Sequence, residues 1–295
     1  ELKFYNQTKY RKEFYGYEDM NLSLNFNFYD SFSDNIATQD SFKIKNISNR
    51  IGIKGNSKLF NYDIYGNFGY FKYHVNALEN SFSEIYVGGL LKYKNPSFDV
   101  VSNFEIKKSS DYRLKVDLKS KIFEASYLSA LYEPKIFERI YLGNHYSWEN
   151  NFNSSFVNNL NAKINLENRF ITFSPSINFY TIKDHIYFVG DNHLQADQVI
   201  TFNQFIVDLK LKLLNNKINF DNKFTYNLSS NSANGILNFP KQTLYSKLYY
   251  NGIWFNNTIP VQLGTIISYR SEFYGDAYDP ITQNFYVQNE FMLER

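Results

Sequence analysis

The sequence contains no cysteine, which excludes disulfide scaffolds and metal sites built from thiolates. It contains no apolar run of about 18 residues, so transmembrane helices are excluded, whereas transmembrane strands are not, because they are short and half polar. No basic tract stands out and the net charge is +2, so nucleic acid is not expected as a partner. Helical periodicity is nearly absent.

Strand periodicity is present along nearly the whole chain. In the hairpin from Val207 to Leu228, for example, Leu209 and Leu211 alternate with Asp208 and Lys210. Side chains of a strand point to opposite faces, so each such segment has one apolar and one polar face. Many of these segments reach about ten residues, whereas soluble strands usually have about five to six and membrane-crossing strands about 9–11. Similar segments begin near Leu22, Phe60, Ile85, Phe98, Tyr112, Phe123, Leu160, Ile171, Val261 and Phe285.

The connections between these segments alternate in length. Short polar turns are predicted at residues 55–58, 94–96, 119–121, 167–169, 215–217 and 256–258. Longer links are predicted at residues 74–84, 133–158, 183–201, 229–241 and 270–283. In an up-and-down antiparallel sheet, alternate connections lie at the same end, so the short turns fall at one end and the long links at the other. Outer-membrane barrels have this asymmetry, with tight periplasmic turns and long extracellular loops.

Phenylalanine and tyrosine are abundant, with 29 and 26 copies against 2 tryptophans. Rings at both edges of an apolar band are typical of the interfacial girdles of membrane barrels, although the same residues favour strands of any kind. Near the short turns lie Tyr93, Phe98, Phe170, Trp254 and Phe255, and near the long links lie Tyr132, Tyr180, Tyr226, Tyr269 and Phe285.

Together these features predict an all-β fold, an antiparallel up-and-down transmembrane β-barrel with about 14–16 visible strands. Residues 1–295 are expected to form a single outer-membrane barrel domain whose last strand spans Gln283 to Leu293. About fifteen strands cannot close a barrel that starts and ends on the same side. Because the chain also begins at Glu1 rather than at a methionine, we expect a piece of a longer chain with at least one further strand.

Two segments resemble a known family. They are YLGNHYSWENNF, from Tyr141 to Phe152, and YGDAYDPITQNFYVQNEF, from Tyr274 to Phe291. They are similar to segments of the putative porin family of Bacteroidota outer membranes, in which an Asn-His-aromatic-x-Trp segment follows a loop that contains proline, here Pro134. The resemblance implies a β-barrel located in the bacterial outer membrane, and it transfers no catalytic residue.

Charged side chains on the polar faces are candidates for the lining of a lumen. They are Lys43, Lys45, Lys107, Arg113, Lys115, Lys163, Asp208, Lys210, Lys212, Asp221 and Lys223. On a lipid-facing surface each would cost about 2–4 kcal/mol at the bilayer midplane, whereas in a lumen these charges are solvated and set ion selectivity. Basic residues dominate the set, which predicts a weak preference for anions in an open pore.

The link that resembles the porin family is expected to fold inward. There His145, Tyr146 and Trp148 would pack on the barrel mouth or constrict the lumen. Asn144, His145 and Ser147 are residue types of a hydrolase site, but a catalytic triad needs spatial convergence, normally from separate strands. We therefore expect no enzyme activity.

Two loops contain residue types that bind metals. The segment from Asp184 to His193 matches no established ligand spacing. The loop with Asp276 and Asp279 lacks the alternating acidic pattern of a calcium site. Ordinary polar loops are the simpler interpretation, so we expect neither a metal nor a cofactor.

The leading hypothesis is an outer-membrane porin-like channel through which small hydrophilic solutes diffuse. Its expected partners are outer-membrane lipids and lipopolysaccharide, the solutes themselves, and envelope proteins or further copies of the chain. A second hypothesis is a gated or non-conducting barrel of a larger envelope transport or secretion complex. A TonB-dependent receptor of this kind needs about 22 strands and a plug. A third hypothesis is a soluble extracellular β-sheet protein that binds a ligand.

Overall fold

The computed structural model of the protein describes residues 2–20, 38–76, 78–109, 111–256 and 258–294. Thirteen long strands in these residues form one antiparallel sheet. A short strand, Leu166–Glu167, pairs with the long strand Ile171–Lys183, so the sheet has 14 strands, within the predicted range. The long strands are β1 (Leu2–Asp19), β2 (Thr38–Asn56), β3 (Phe60–Val75), β4 (Leu78–Lys94), β5 (Phe98–Lys107), β6 (Tyr112–Ser120), β7 (Phe123–Tyr132), β8 (Ser155–Ile164), β9 (Ile171–Lys183), β10 (Ile200–Leu213), β11 (Ile218–Ser229), β12 (Gln242–Trp254) and β13 (Ile259–Arg270).

Each long strand pairs with the strands before and after it in sequence, so the topology is up-and-down as predicted. Within the described ranges, β1 and β13 are the two edges and the sheet does not close on itself. One end, the turn end, has short connections throughout, and the opposite end, the loop end, has the long ones. The long connections at the loop end include residues 133–154, 184–199 and 230–241.

Two connections at the loop end are short. The predicted long link over residues 74–84 is wrong, because β3 and β4 both continue into it. There His74 lies opposite Glu79, and the two side chains approach to 3.1 Å between Nδ1 and Oε2. Asn76 takes a φ of 50° at the turn, a conformation that asparagine tolerates better than most residues. The connection over residues 108–111 is also short.

The predicted last strand from Gln283 to Leu293 does not form. Its first half, Asn284–Tyr286, pairs with Ala277–Asp279, and its end, Met292–Leu293, pairs with Phe273–Tyr274. A polar run, QNE, interrupts the alternation between these two pieces. The segment beyond β13 therefore folds on itself at the loop end.

The connections at the loop end contain the remaining elements. They are a helix, α1 (Ile136–Arg139), a hairpin of Ile140–Leu142 and Ser147–Glu149, a second hairpin of Ile186–Val189 and Asn192–Gln195, and a 3-10 turn at Asn231–Ala233. No helix in the described ranges is long and apolar enough to span a membrane. The strand expected near Leu22 to Phe28 lies outside the described residues.

The two faces of the sheet differ in chemistry. One face, called the apolar face, carries large hydrophobic side chains that the rest of the described chain leaves uncovered; Ile51 is 63% exposed and Leu263 is 55% exposed. Others on this face are Phe68, Val87, Phe104, Leu160, Phe205, Phe224 and Leu248. The opposite face, called the polar face, carries the intervening residues. Soluble proteins rarely expose an apolar surface of this extent, whereas a lipid-facing barrel wall requires it.

Aromatic rings border the apolar face at the turn end, as predicted. Tyr93 contacts Phe60 and Phe98, with ring centroids 5.0 and 5.7 Å apart. Trp254 and Phe255 are exposed at the turn end of β12. These rings lie where an interfacial girdle requires them.

The rings predicted at the loop end are less uniform. Tyr226 and Tyr269 lie on the apolar face. Tyr180 lies instead on the polar face, where its ring contacts Phe202 at a centroid distance of 5.7 Å. Phe285 belongs to the small hairpin beyond β13. The loop-end girdle is therefore only partly as predicted.

Candidate channel wall and loop cluster

The polar face carries most of the charged residues that the sequence suggested for a lumen. Residues directly opposite each other in an antiparallel pair share a face. Lys210 lies opposite Asp221, and Asp208 lies opposite Lys223, so opposite charges alternate along this part of the sheet. The residues on this face are Lys107, Arg113, Lys115, Lys163, Asp208, Lys210, Lys212, Asp221 and Lys223. That they line an open lumen stays a prediction.

Lys107 is the centre of an ionic group on the polar face. Its Nζ lies 2.8 Å from Glu84 Oε1, 3.9 Å from Asp111 Oδ2 and 3.9 Å from Glu133 Oε2. Glu133 belongs to the long connection after β7, so the group links the sheet to a loop. Sequence reasoning identified Lys107 but missed Glu84, although both residues have the parity of the polar positions in their strands.

A second ionic group involves Arg50, which sequence reasoning also missed. Its guanidinium carbon lies 3.8 Å from the ring centroid of Tyr65, and its Nη2 lies 3.8 Å from Glu105 Oε1. The Tyr65 hydroxyl donates to the same Glu105 oxygen at 2.6 Å. Acidic partners offset several of the basic residues here, so the net positive charge of the polar face is smaller than the lysine content alone suggests.

Lys43 and Lys45 are the exceptions, and the prediction that they share the polar face is wrong. Both have the parity of Ile47 and Ile51, which are exposed on the apolar face. The reason is the length of β2, which has 19 residues, whereas a membrane crossing needs about 9–11. At its loop end the polarity of the strand reverses, and Phe42 is buried on the opposite side.

The same reversal occurs in β3 and β4. Near the middle of these strands, Phe68 and Ile85 are exposed on the apolar face. Nearer the loop end, Lys72 occupies that face, while Val75 and Phe82 pack on the other side. The reversal marks where the hydrophobic part of the apolar face ends, and this hydrophobic part is called the apolar belt. Between the reversal and the loop end, the apolar face (the outer side) carries charged residues, and the polar face (the inner side) packs on a loop.

That loop is the connection between β7 and β8, which folds inward over the sheet. Its buried side chains, those of the sheet and Phe188 of the connection between β9 and β10 form the loop cluster, consisting of Phe42, Val75, Ile136, Tyr141, Trp148 and Phe188. Trp148 stacks on Tyr141 with centroids 4.7 Å apart, and its Nε1 donates to the Phe137 carbonyl at 2.8 Å. The link therefore packs on the polar side of the sheet, and that it folds into a lumen stays a prediction.

Hydrogen bonds between polar groups hold the tip of the hairpin formed by Ile140–Leu142 and Ser147–Glu149, called the inserted hairpin. The carboxylate of Asp40 accepts the backbone N–H of Asn144 at 2.9 and 3.0 Å. The Asn144 side-chain amide donates to Thr38 Oγ1 at 2.7 Å, and the same hydroxyl lies 2.9 Å from His145 Nε2. Sequence reasoning found Asn144 and His145 but missed Asp40 and Thr38, since no local pattern connects residues 104 positions apart.

The predicted constriction residues have structural contacts. His145 is 1% exposed and Trp148 is 4% exposed, so both hold the hairpin in place, whereas Tyr146 is half-buried. Ser147 is exposed, in contrast to the buried His145. Whether this hairpin narrows a solute path stays a prediction.

A cavity of about 830 Å³ separates the folded-in connection from the polar face. A space of this size is typical of a site that admits a small molecule. Residues of both charge signs contribute to its lining, which includes Tyr73, Phe82, Glu84, Lys107, Glu133 and Arg139.

The residues considered for metal binding are engaged in packing and turns. The His193 ring stacks on Phe188 with centroids 4.8 Å apart, and burial lowers the pKa of His193 to about 4. Burial also lowers the pKa of His185. Asp279 accepts the backbone N–H of Thr282 at 3.1 Å within its own turn. Across the described ranges, no group of three or more His, Asp or Glu side chains is arranged to hold a metal ion.

The segment beyond β13 connects the edges and loops of the sheet at the loop end. Gln283 Nε2 donates to the carbonyl of Gly16 in β1 at 3.0 Å. The backbone N–H of Val287 donates to the carbonyl of Phe188 at 2.8 Å. The segment therefore reaches from the last long strand to the first, and it packs against the second loop hairpin.

The profile of one protein family, described as putative porin, matches residues 1–294. No curated protein sequence matches the chain. Solved structures with the same fold include a mutant of the ferric enterobactin receptor PfeA from Pseudomonas aeruginosa, with a TM-score of 0.64 and 11% identity. For the siderophore receptor PirA from Acinetobacter baumannii the TM-score is 0.61 and the identity 11%, and for the FrpB iron transporter from Neisseria meningitidis they are 0.54 and 10%.

These alignments cover 99%, 97% and 86% of this chain, but only 50%, 49% and 47% of the three solved chains. The chain thus spans about half the length of those proteins. At such low identity the likeness shows the fold alone, an up-and-down β-barrel wall. With the match to the family over nearly all residues, it shows that the chain belongs to the putative porin family and is a β-barrel protein of the bacterial outer membrane.

Proposed function

We propose that the protein forms a porin-like channel through which small hydrophilic solutes diffuse, with no chemical reaction. The observation that carries this proposal is the separation of charge between the two faces. Every described long strand except β9 has at least one charged residue on the polar face, at depths from the turn end to the loop end, whereas on the apolar face charged residues occur only towards the loop end. Those on the apolar face are Lys12, Glu18, Lys43, Lys45, Lys72, Glu79 and Lys183.

This separation favours an aqueous lumen. A charge on the lipid side costs about 2–4 kcal/mol at the midplane, and a charge in a packed, dry interior costs several kcal/mol per ion. Asp208, Lys210, Asp221 and Lys223 are adjacent in two paired strands. So many charges in one area are tolerated where water or counterions solvate them. Solute choice then depends on lumen width, on the inserted loop and on the charges of the wall.

The test is single-channel recording of the full-length protein in a planar bilayer under a salt gradient. Stable open steps support a diffusion channel, and their reversal potential reports ion selectivity. In Lys210→Glu the reversal potential should shift towards cation selectivity, because the change reverses a charge on the polar face. Lys183→Glu is the matched control, since Lys183 lies on the apolar face at the loop end of β9. This variant should leave the reversal potential unchanged.

A protein that inserts but never conducts would contradict the proposal. So would an equal shift in both variants, because the polar face would then not border the ion path.

A gated barrel is the second candidate. It is favoured by the likeness to proteins described as siderophore receptors and by the inserted loop that reaches the wall through Glu133 and Lys107. Asp40→Ala removes the acceptor that holds the hairpin at Asn144. In a gated barrel this change should convert a silent protein into a conducting one. In an open channel it should change the conductance only moderately.

A further inference from the structure

A row of three lysines crosses the outer side of β1, β2 and β3 just beyond the apolar belt. Lys45 lies opposite Lys12 on one neighbouring strand and opposite Lys72 on the other. The next row on this face towards the belt has Ile47 between two tyrosines. The lysines therefore lie at the depth where the hydrocarbon layer ends and lipid headgroups begin.

The row concentrates positive charge in a small area. Neighbouring strands are about 4.7–4.9 Å apart, so the three backbone positions span about 10 Å. Lys43 lies on the same face one row further out, and its ammonium lies 5.6 Å from the ring centroid of Phe14. Like charges directly opposite each other destabilise a sheet. A bound anion would remove this repulsion.

Acidic residues of the chain offset the charge only in part. Glu79 forms an ion pair with Lys72, and its other oxygen lies 3.1 Å from His74. Within the described ranges, no carboxylate forms an ion pair with Lys12 or Lys45. One end of the row is thus neutralised by the protein, and the other end is not.

We propose that Lys12, Lys45 and Lys72, with Lys43 beside them, bind the phosphate groups of lipid A in the outer leaflet. The loop end is the outer end of such a barrel, so the row faces that leaflet. A lipid satisfies both parts of the surface at once, since its phosphates meet the lysines while its acyl chains meet the apolar side chains directly below. A small soluble anion or an acidic protein would use only the charged part.

The test uses the full-length protein in detergent and measures binding of phosphorylated lipid A by native mass spectrometry. The variant Lys12→Gln/Lys45→Gln/Lys72→Gln should bind it on the order of 100-fold more weakly, because each basic residue near a membrane surface contributes about a fivefold factor. The matched control is Lys115→Gln/Lys163→Gln/Lys210→Gln, which removes the same charge from the polar face and should keep the affinity.

Two further lipids identify the bound group. Dephosphorylated lipid A should bind the unmodified protein weakly, because the lysines recognise phosphate. Phosphatidylglycerol should bind much less tightly than phosphorylated lipid A, because it offers a single phosphodiester. Equal binding of either lipid, or equal loss of affinity in the control variant, would overturn the proposal.

The inference rests on placement of the protein in the outer membrane and does not depend on an open pore. The lysine variant should therefore leave the channel conductance unchanged while it loses lipid A. If the protein never conducts but still binds lipid A through these residues, the proposed channel fails and the lipid site stands. If it conducts but binds no lipid A, the lipid site fails alone.

Discussion

Two adjacent residues in the middle of β10 offer a stringent test of which face meets lipid. Val207 lies on the apolar face opposite Phe224, and Ile206 lies on the polar face opposite Thr225. Both are β-branched, both are partly buried, and both lie at nearly the same depth in the strand. Val207→Lys and Ile206→Lys therefore introduce the same side chain into the same strand on opposite faces.

The expected difference follows from where the ammonium group must lie. On the apolar face it meets hydrocarbon, which costs about 2–4 kcal/mol near the midplane of the bilayer. On the polar face it joins solvated charges that include Asp208 and Lys223. Strand propensity changes in nearly the same way in both variants, so it largely cancels. Val207→Lys should thus lower the folding equilibrium constant roughly 30- to 900-fold more than Ile206→Lys.

The measurement is reversible unfolding by urea of the full-length protein in lipid vesicles, followed by tryptophan fluorescence and extrapolated linearly to water. A second series in detergent micelles should show a smaller difference, since a charge at a micelle surface reaches water more easily. If Ile206→Lys destabilises the protein as much as Val207→Lys, the polar face is packed and dry. The assignment of the two faces, and the channel with it, would then be wrong.

Two other predictions concern the loop cluster. Trp148→Ala removes the ring that stacks on Tyr141 and should lower the stability of the folded loop by about 3–5 kcal/mol. Proteases should then cleave residues 136–149, while the unfolding midpoint of the sheet is unchanged. The control is Trp254→Ala, at an exposed position, which should leave the loop protected from cleavage. His193 has its pKa lowered to about 4 by burial and, secondarily, by Lys135, so the unfolded loop binds more protons and loop stability should fall as pH decreases from about 6.5 to 4. Fluorescence of Trp148, whose ring lies 5.1 Å from His193, should report this change in a Trp254→Phe background, and His193→Phe should reduce it.

Much of the sheet could be predicted from the sequence because a period of two is a local signal. The second half of β10 shows why, since an alternation such as that of Leu209 and Leu211 with Asp208 and Lys210 is readable without a partner. The positions of most short turns followed from the same reading. These features fix the up-and-down order, because neighbouring segments joined by tight turns pair with each other.

The loop contacts could not be predicted, because they join residues that are distant in sequence. Asp40 accepts the backbone of Asn144, and Glu133 reaches Lys107, but neither contact leaves a periodic pattern. The segment beyond β13 illustrates the opposite error. Phe285 and Val287 alternate like a strand, yet the segment packs on the loop hairpin at Phe188 instead of extending the sheet.

The error at Lys43 and Lys45 is more informative than a missed contact. Lys43 and Lys45 alternate with Phe42 and Ile44 in the sequence, so they have the pattern of a polar face that would line a lumen. The apolar side chains in fact change parity within this strand, from Phe42 and Ile44 to Ile47.

A strand that only crosses a bilayer has no reason to change parity. A strand that continues beyond the bilayer does, because its outer side then faces water while its inner side covers a loop. The parity change in a long strand is therefore itself a signal that can be read from sequence. In β2 it falls between Lys45 and Ile47, and it places the edge of the membrane where the lysine row begins.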